Sequence, residues 1–379
     1  MVHTVLIDRV RVLYHDQEVG MLSLTDDGLQ AFEYADSWLV NGFSISPLSL
    51  PLQSGLFIAK PEPLNGVFGV FDDSMPDGWG RLLVDRTLVR RGINPTTVNS
   101  LARLSIVGSG GMGALTYEPE SMLPNELEQL ELDDIAAACA SMLETDYSAD
   151  LDALFALGGS SGGARPKILT VIDGEDWIVK FASSADDKDI GKREYEISLA
   201  AGRAGIDMPE TRLFPSGRCS GYFGVKRFDR VGDPGGRIHM LSAGAALETS
   251  HRLFNLDYET LMRLTQRITE DFEDVVRLFR LMCFNVFVGN RDDHAKNFSY
   301  LYDEVRHTWR LSPAYDLTCN PGVYGEHAAM VNGKGKGIDA SDLEHVGCSV
   351  GLSIRDCHRV VQEVRSVLKK ADLLDAEYL

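Results

Sequence analysis

The residues of this chain best suited to chemistry are Asp292 and Asn297, which stand five positions apart directly after Arg291. An aspartate so placed can accept the proton of an attacking hydroxyl group, and the asparagine can hold a metal ion on the phosphates of ATP. The pair follows Gly289 and a long apolar helical pattern, so a core element would hold this loop in place. The spacing therefore predicts phosphoryl transfer.

A second chemistry would use overlapping residues. Asp292, Asp293 and His294 all have side chains that can bind a metal ion, and a metal-dependent phosphohydrolase could use them together. That reaction requires neither a glycine-rich loop nor a phosphate-binding lysine, and the chain has a candidate for each. The phosphohydrolase is therefore the alternative activity.

Phosphoryl transfer also needs backbone groups that cover the phosphates and a cation that grips them. Residues 158–167 read Gly-Gly-Ser-Ser-Gly-Gly-Ala-Arg-Pro-Lys, and glycines let N–H groups approach phosphate oxygens closely. Lys180 ends the apolar strand pattern that follows, and Glu194 begins the next helical pattern, in the order of the strand lysine and helix glutamate of protein kinases. Taken singly, these features are also explained as a hinge loop, an edge-strand lysine and a solvated glutamate.

Two further stretches occur in kinase order. Residues 227–230, Arg-Phe-Asp-Arg, predict either the hinge of a nucleotide site, where backbone groups would face an adenine, or a charged strand end. Asp316 follows an aromatic residue in an apolar setting, where a lone carboxylate needs a partner or a metal ion, although it could also cap a helix. Another glycine cluster, at 108–113, has no lysine or paired acid at a useful spacing. We interpret it as a domain-packing or hinge loop.

The composition limits the class of protein. A chain of 379 residues with 44% hydrophobic and 25% charged residues is typical of a soluble globular protein of more than one domain. The formal net charge of −19 makes the chain alone a poor ligand for nucleic acids. The first residues lack a signal-peptide pattern, and the six cysteines form no CxxC pair. These features predict a cytoplasmic protein with reduced thiols.

Hydrophobic periodicity predicts the elements that position these residues. Short strands are expected over residues 2–60, and an acidic connecting segment on the surface over 119–152. The remaining predicted strands are at 113–117, 167–171, 177–181, 211–213, 222–227 and 307–311, the last of which would return the chain to the site before Asp316. The predicted helices are at 79–91, 97–104, 132–143, 193–204, 258–269, 271–288 and 354–374. The predicted fold class is therefore α+β: a two-lobed, protein-kinase-like fold made of residues 1–120, 121–230 and an all-helical part at 231–379.

The same motifs resemble the HipA-type serine/threonine kinases, the toxins of bacterial type II toxin–antitoxin pairs. The resemblance is carried by residues 75–79, 162–167, 227–230, 292–299 and 313–316, among which Asp-His-Ala-Lys-Asn-Phe-Ser at 293–299 is the most specific. The chain departs from the family in two places. Its loop reads Gly-Gly-Ala-Arg-Pro-Lys where other members have Ala-Gly-Val/Ala-Gln-Glu-Lys, and Asp293 replaces a glycine often found after the catalytic aspartate.

The resemblance implies a role for each site residue. Asp292 would be the catalytic base, Asn297 and Asp316 the magnesium ligands, and Lys180 the lysine that grips ATP, oriented by Glu194. The rest of the nucleotide site would come from Gly162, Gly163, Lys226, Phe228 and His294. Ser160, or its neighbour Ser161, would be phosphorylated by the kinase itself, which ejects the loop and silences the enzyme.

The resemblance also implies partners. The cofactors would be ATP and Mg²⁺, and the substrate a protein such as an aminoacyl-tRNA synthetase, whose modification stalls translation. A small DNA-binding antitoxin would neutralise the kinase, so that DNA is reached only through the antitoxin; no membrane partner is expected. A catalytically silent module that only binds the antitoxin is the third hypothesis.

Overall fold

The computed structural model describes residues 7–120, 131–144, 151–161, 163–232, 236–253 and 255–378. The chain divides into two compact units. The first contains residues 1–192, 212–241 and 245–248, and the second contains residues 193–211, 242–244 and 249–379. Strands and helices occur in both units, so the predicted mixture of α and β structure is confirmed.

An antiparallel sheet of five strands, in the order β4-β3-β2-β1-β5, opens the first unit. Its strands are β1 (Arg9–Tyr14), β2 (Gln17–Leu24), β3 (Gln30–Tyr34), β4 (Leu56–Ile58) and β5 (Leu115–Glu118). The accompanying helices are α1 (Asp36–Asn41), α2 (Gly69–Asp72), α3 (Gly78–Arg90) and α4 (Ser100–Val107). The helix predicted at 79–91 is confirmed. The start predicted at 97 is wrong, because the Asn99 side chain accepts from the Ala102 N–H and begins α4 at Ser100.

A second sheet in this unit has four strands in the order β6-β7-β9-β8. These are β6 (Lys167–Ile172), β7 (Glu175–Lys180), β8 (Thr211–Phe214) and β9 (Tyr222–Lys226). Its helices are α5 (Leu132–Glu144), α6 (Leu151–Gly158) and α7 (Ile190–Arg203), the last of which continues into the second unit.

Helices α5 and α6 correct the expectation of a surface connection. Helix α5 buries Ile135, Cys139 and Met142 in a core that also contains Trp79 and Trp177. Helix α6 was not predicted, and it extends to Gly158, so the glycine-rich run starts inside a helix. The many acidic residues of this stretch obscured its apolar face, which recurs at the helical period. The flanking residues 121–130 and 145–150 lie outside the described residues.

A buried charge cluster joins β9 to the loop that precedes β5. The fully buried Asp229 carboxylate accepts hydrogen bonds from Arg227 (2.8 and 3.0 Å), Arg230 (2.7 Å) and the Gly113 N–H (2.7 Å). Both arginines also donate to the Gly111 carbonyl, at 3.2 and 2.9 Å. Burial alone would raise the pKa of Asp229, but the two arginines lower it to about 2. The glycine cluster at 108–113 is therefore a packing loop, as predicted.

Replacing Asp229 by asparagine should lower the free energy of unfolding by about 3–5 kcal/mol, because the buried Arg227 and the partly buried Arg230 lose their counter-charge. Asp173→Asn is the matched control, since Asp173 forms an exposed ion pair with Arg212 in the same unit. Urea denaturation at pH 7 measures both. The folded pKa of Asp229 lies below the unfolded value of 3.8, so the stability it contributes is present above that value and is lost as the pH falls towards 2. Equal stability of the two variants would contradict this role.

Two short elements, β10 (Met240–Ser242) and α8 (Ala243–Ala246), lie where the chain passes between the units. The second unit then contains helices α9 (Tyr258–Thr269), α10 (Phe272–Val288), α11 (Ala340–Ser349) and α12 (Ile354–Lys370). Its strands are β11 (Leu256–Asp257), β12 (Ser299–Asp303), β13 (Thr308–Leu311) and β14 (Ala329–Met330).

The expectation of an all-helical last part is wrong, whereas the single strand predicted there, at 307–311, is confirmed as β13. Strands β12 and β13 form an antiparallel hairpin, and β11 pairs with β14 in parallel. Helix α11 was missed, although Asp339 and Asp342 form a capping box at its start. Across the described ranges, no helix is both long and apolar enough to cross a membrane.

Candidate active site

The loop that contains Asp292 begins at the end of a core helix. Residues 281–288 of α10 are all buried, and Gly289 ends the helix with a φ of +71°. A side chain at Gly289 would overlap the Asp375 carboxylate, so both the backbone conformation and the available space require glycine. The loop therefore starts from a fixed point.

The two neighbours of Asp292 are held on different partners. Asp293 is fully buried, and its carboxylate accepts hydrogen bonds from the Tyr258 hydroxyl (2.8 Å), His327 Nδ1 (2.9 Å) and the Ala329 N–H (3.1 Å). Burial raises the pKa of Tyr258 well above its ordinary value, so its hydroxyl keeps the proton it donates.

Arg291, on the other side, forms ion pairs with Asp375 (2.9 Å) and Glu377 (3.2 Å). The side chain of Asp292 between these two fixed residues is 55% exposed. This exposure suits a base that must meet a substrate hydroxyl.

The buried Asp293 does not fit the phosphohydrolase hypothesis. Both of its oxygens are engaged inside the second unit, whereas Asp292 is exposed, so Asp292, Asp293 and His294 do not converge on one metal ion. Among the residues that the structure describes, no group of three or more His, Cys, Asp or Glu side chains is arranged to hold a metal ion.

His294 and Asn297 shape the rest of the loop. His294 Nδ1 accepts from the Lys296 N–H at 3.3 Å and caps the 3-10 turn Ala295–Asn297, which leaves the proton of a neutral ring on Nε2, 4.0 Å from the Asp292 carboxylate. Asn297 Nδ2 donates to the Asp292 carbonyl at 2.7 Å. Within the described part of the chain, Asn297 Oδ1 accepts no hydrogen bond and is available to a cation.

The hairpin of β12 and β13 returns the chain to this loop at Asp316. The preceding Tyr315 donates its hydroxyl proton to the Lys296 carbonyl at 2.6 Å, and its hydroxyl also lies 2.6 Å from Ser299 Oγ. Asp316 has a φ of +57° and starts no helix, so the helix-cap interpretation is wrong. An amide oxygen from Asn297 and a carboxylate from Asp316 are hard oxygen ligands, and Mg²⁺ is commonly held by one or two such protein groups. The donor set fits magnesium.

In the first unit, the glycine-rich loop packs against the start of α3. The Gly163 N–H donates to the Asp77 carboxylate, and the Trp79 N–H donates to the Gly163 carbonyl at 2.8 Å. Ser160 Oγ donates to the Gly110 carbonyl at 2.8 Å, whereas the buried Ser161 donates to the Gly158 carbonyl at 2.6 Å. Gly162 lies outside the described residues. The loop is therefore held by the N-terminal part of the chain, and a free hinge is not what this geometry shows.

The remaining nucleotide-site candidates lie on or beside β7 and β9. Lys180 is in the interior strand β7, so the edge-strand explanation is wrong, and its Nζ lies 5.6 Å from the Phe223 ring. Lys226 at the end of β9 pairs with Glu175 at 2.6 Å, and Phe228 is half-buried just beyond. Glu194 is only 2% exposed, which excludes a solvated helix residue. It belongs to the second unit and Lys180 to the first, so their pairing stays a prediction.

The structure thus groups Asp292, His294 and Asn297 in one loop of the second unit, and Tyr315, which directly precedes Asp316, contacts that loop. It groups Ser160, Ser161 and Gly163 around one loop of the first. Sequence reasoning missed the residues that hold these loops, namely Asp77, Trp79, Asp375 and Glu377. The motif at 75–79 was a signal for the first two, whereas a long-range ion pair leaves no local signal for the others.

Comparison with known proteins identifies the family. Residues 10–118 match the model of the HipA N-terminal domain, and residues 159–371 match the model of the HipA-like C-terminal domain. The chain belongs to the HipA family. The predicted family resemblance is confirmed.

Individual relatives agree with this assignment. Two proteins of Sinorhizobium fredii, named "Putative kinase Y4dM" and "Putative kinase Y4mE", are 26% and 27% identical to this chain. The first alignment covers 94% of this chain and 90% of that protein, and the second covers 89% and 84%. HipA of Shewanella oneidensis, solved with HipB and its operator DNA, superposes with a TM-score of 0.71 at 18% identity over 96% of this chain and 90% of its own. This likeness confirms the predicted fold class, and the HipA family is kinase-like.

A pair of glycine substitutions tests whether the glycine-rich loop packs on α3. A Cβ atom at Gly80 in α3 would overlap the Ser161 carbonyl oxygen, so Gly80→Ala should lower the free energy of unfolding by about 1–3 kcal/mol. Gly202 in α7 has open space around it, so Gly202→Ala should raise that free energy by about 0.4–1 kcal/mol. Chemical denaturation of the two proteins gives the comparison. A Gly80→Ala protein that is as stable as the unsubstituted protein would show that the loop does not pack on α3 as described.

The adjacent aspartates should respond differently to the same change. Asp293→Ala leaves Tyr258 and His327 without their buried acceptor and should lower the free energy of unfolding by about 3 kcal/mol. Asp292→Ala, one residue earlier and exposed, should leave that free energy nearly unchanged. Thermal and urea unfolding of both variants measures the difference, and a smaller loss for Asp293→Ala than for Asp292→Ala would refute the assignment of the two roles.

Proposed function

We propose that this HipA-family protein is an ATP- and magnesium-dependent serine/threonine protein kinase. The observation that supports the proposal best is the Asp292 loop, in which Arg291 and Asp293 are fixed while Asp292 is exposed and Asn297 bonds to its carbonyl. A proton acceptor and a metal ligand held in one rigid loop are what phosphoryl transfer requires. The two Sinorhizobium relatives, which are named as kinases, agree with it.

In this proposal the substrate hydroxyl gives its proton to Asp292 as its oxygen attacks the γ-phosphorus of ATP, and ADP leaves. Asn297 Oδ1 and the Asp316 carboxylate would hold Mg²⁺, which when bound neutralises charge on the phosphates. His294 would lie beside the reacting groups, because its Nε2 faces Asp292.

The nucleotide would be bound by residues of the first unit. Lys180 and the glycine-rich loop at Gly162 would hold the phosphates, and Gly163, whose N–H is bonded to Asp77, would fix that loop. Lys226 and Phe228 would lie near the adenine. Glu194 would orient Lys180. The interior position of Lys180 in β7 supports this role, since a nearly buried lysine needs an anion.

Ser160 is the better candidate for self-phosphorylation. Its hydroxyl is half-exposed and bonds to the neighbouring glycine loop at Gly110, whereas Ser161 is buried against its own turn. Phosphorylation of Ser160 would remove that donor and add a charge of roughly −2 in the loop. The loop would then lose its contact with Gly110 and repel the phosphates of ATP.

We further propose a small DNA-binding antitoxin as partner and a protein such as an aminoacyl-tRNA synthetase as substrate. The Shewanella HipA was solved together with HipB and operator DNA, which supports the antitoxin. The net charge of −19 supports contact with DNA through that partner, because the chain alone would be repelled by DNA phosphates.

The competing hypothesis is a catalytically silent module that only binds the antitoxin. It predicts that calorimetry detects no magnesium-dependent ATP binding.

A matched pair of exposed aspartates tests the activity. Asp292→Asn keeps the shape of the side chain but removes the base, so phosphorylation of the peptide containing Ser160 should fall by about 10²–10⁴-fold. Asp372→Asn, an exposed aspartate of the same unit, should leave it unchanged. Mass spectrometry of protein incubated with Mg²⁺ and ATP measures both, and the same comparison in expressing cells reports growth arrest and the substrate protein. Full phosphorylation in Asp292→Asn would eliminate the kinase proposal.

A further inference from the structure

The segment 374–378 packs against the start of the Asp292 loop. The Asp375 N–H donates to the Phe287 carbonyl at 2.8 Å, in the last turn of α10. The Tyr378 ring meets the Phe287 ring edge-on at 5.2 Å. The Asp375 carboxylate fills the space beside Gly289 that a side chain would occupy there. This segment therefore lies on the residues from which the loop departs.

Two carboxylates of this segment share one arginine. Asp375 accepts from Arg291 Nη1 at 2.9 Å, and Glu377 accepts from Arg291 Nη2 at 3.2 Å. The side chains of Arg291 and Asp375 are only 13% and 14% exposed, so water screens their interaction weakly. Burial acts to raise the pKa of Asp375, yet the Glu377 N–H and Arg291 hold it below its ordinary value.

Both carboxylates are oriented before they meet Arg291. The Glu377 N–H donates to Asp375 Oδ1 at 3.0 Å, and the Gly337 N–H donates to Glu377 Oε1 at 3.1 Å. Each acid thus uses one oxygen within its surroundings and offers the other to the guanidinium. A planar guanidinium with two such acceptors has little freedom to turn.

Because Arg291 is held in this way, the residue that follows it is held as well. Arg291 directly precedes Asp292, and many kinases order their active loops when a phosphorylated residue pairs with an arginine. Here the arginine is occupied by two carboxylates that the chain itself encodes. We propose that Asp375 and Glu377 are positioning residues that hold Asp292 through Arg291, so that this loop is assembled without a phosphorylated residue. The inference rests on the proposed kinase function for its effect on rate.

The two sides of Asp292 make the expected effect specific. Asp293 would still be held by Tyr258 and His327 if the acids were neutralised, so the loop would stay attached at that side. Arg291 would retain its backbone bonds to Asn320 and Ala328, but its side chain would be free to move. Asp292 would then sample positions away from the substrate hydroxyl while ATP binding persisted.

The test uses the full chain carrying Asp375→Asn and Glu377→Gln together, with Glu377→Gln alone as a milder variant. Glu363→Gln is the matched control, because it weakens another ion pair of the same unit, with Arg280. Hydrogen exchange of peptides covering 289–297 should rise in the double variant and stay unchanged in the control. The kcat for phosphorylation should fall at least tenfold in the double variant, while KM for ATP changes less than twofold.

A double-mutant cycle shows whether the acids act through the arginine. Arg291→Gln combined with Asp375→Asn should be no slower than Arg291→Gln alone, because the contact is already lost. Additive effects, or unchanged exchange at 289–297, would overturn the positioning role. The exchange measurement needs no activity: a wild-type protein that transfers no phosphate, with exchange that still rises in the double variant, refutes the kinase proposal and supports the positioning of the loop.

Discussion

The fully buried carboxylate of Asp293 constrains the second unit more than any surface contact does. Asp293 brings its carboxylate into the core, where donors from the start of α9, from residue 327 and from β14 converge on it. An unpaired carboxylate there would cost several kcal/mol, so these elements must meet at this point for the chain to fold. The position of Asp292 follows, because it is one peptide bond away. The rigidity of the candidate site is thus a by-product of the stability of the core.

In the first unit, carboxylates that accept backbone hydrogen bonds likewise fix the glycine-rich loops. Glycine runs lose much conformational entropy on ordering, and they order only where specific acceptors hold their N–H groups. Asp77 supplies that acceptor for Gly163, and Asp229 supplies it for Gly113. Arg227 and Arg230 balance the charge of Asp229 and hold the carbonyl of Gly111 as well. Loops whose composition suggests freedom are therefore fixed by carboxylates from other elements.

The sequence predicted what depends on local pattern. Helix α9 and most strands lie at the residues that hydrophobic periodicity predicts. The spacing of Asp292 and Asn297 predicted a loop after α10, and the structure has a loop with a 3-10 turn there. The prediction was wrong where tertiary contacts decide the outcome. The acidic residues of α5 suggested a surface segment, yet Ile135 and Met142 are in the core, and the region after 231 contains a hairpin. The ion pair between Asp375 and Arg291 joins residues 84 positions apart, and no local sequence pattern predicts it. The division into residues 1–120, 121–230 and 231–379 stays a prediction.

The bond between the Trp79 N–H and the Gly163 carbonyl bears on how such proteins can evolve. Residues 10–118 and 159–371 correspond to two separate domain families, which suggests modules that recombination could exchange. Yet the glycine loop of the second module takes its shape from Asp77, Gly78 and Trp79 of the first. An exchanged N-terminal module that lacked this turn would leave the glycine loop without the residues that hold its conformation. Exchange of either module therefore has to preserve the contacts between residues 77–79 and Gly163.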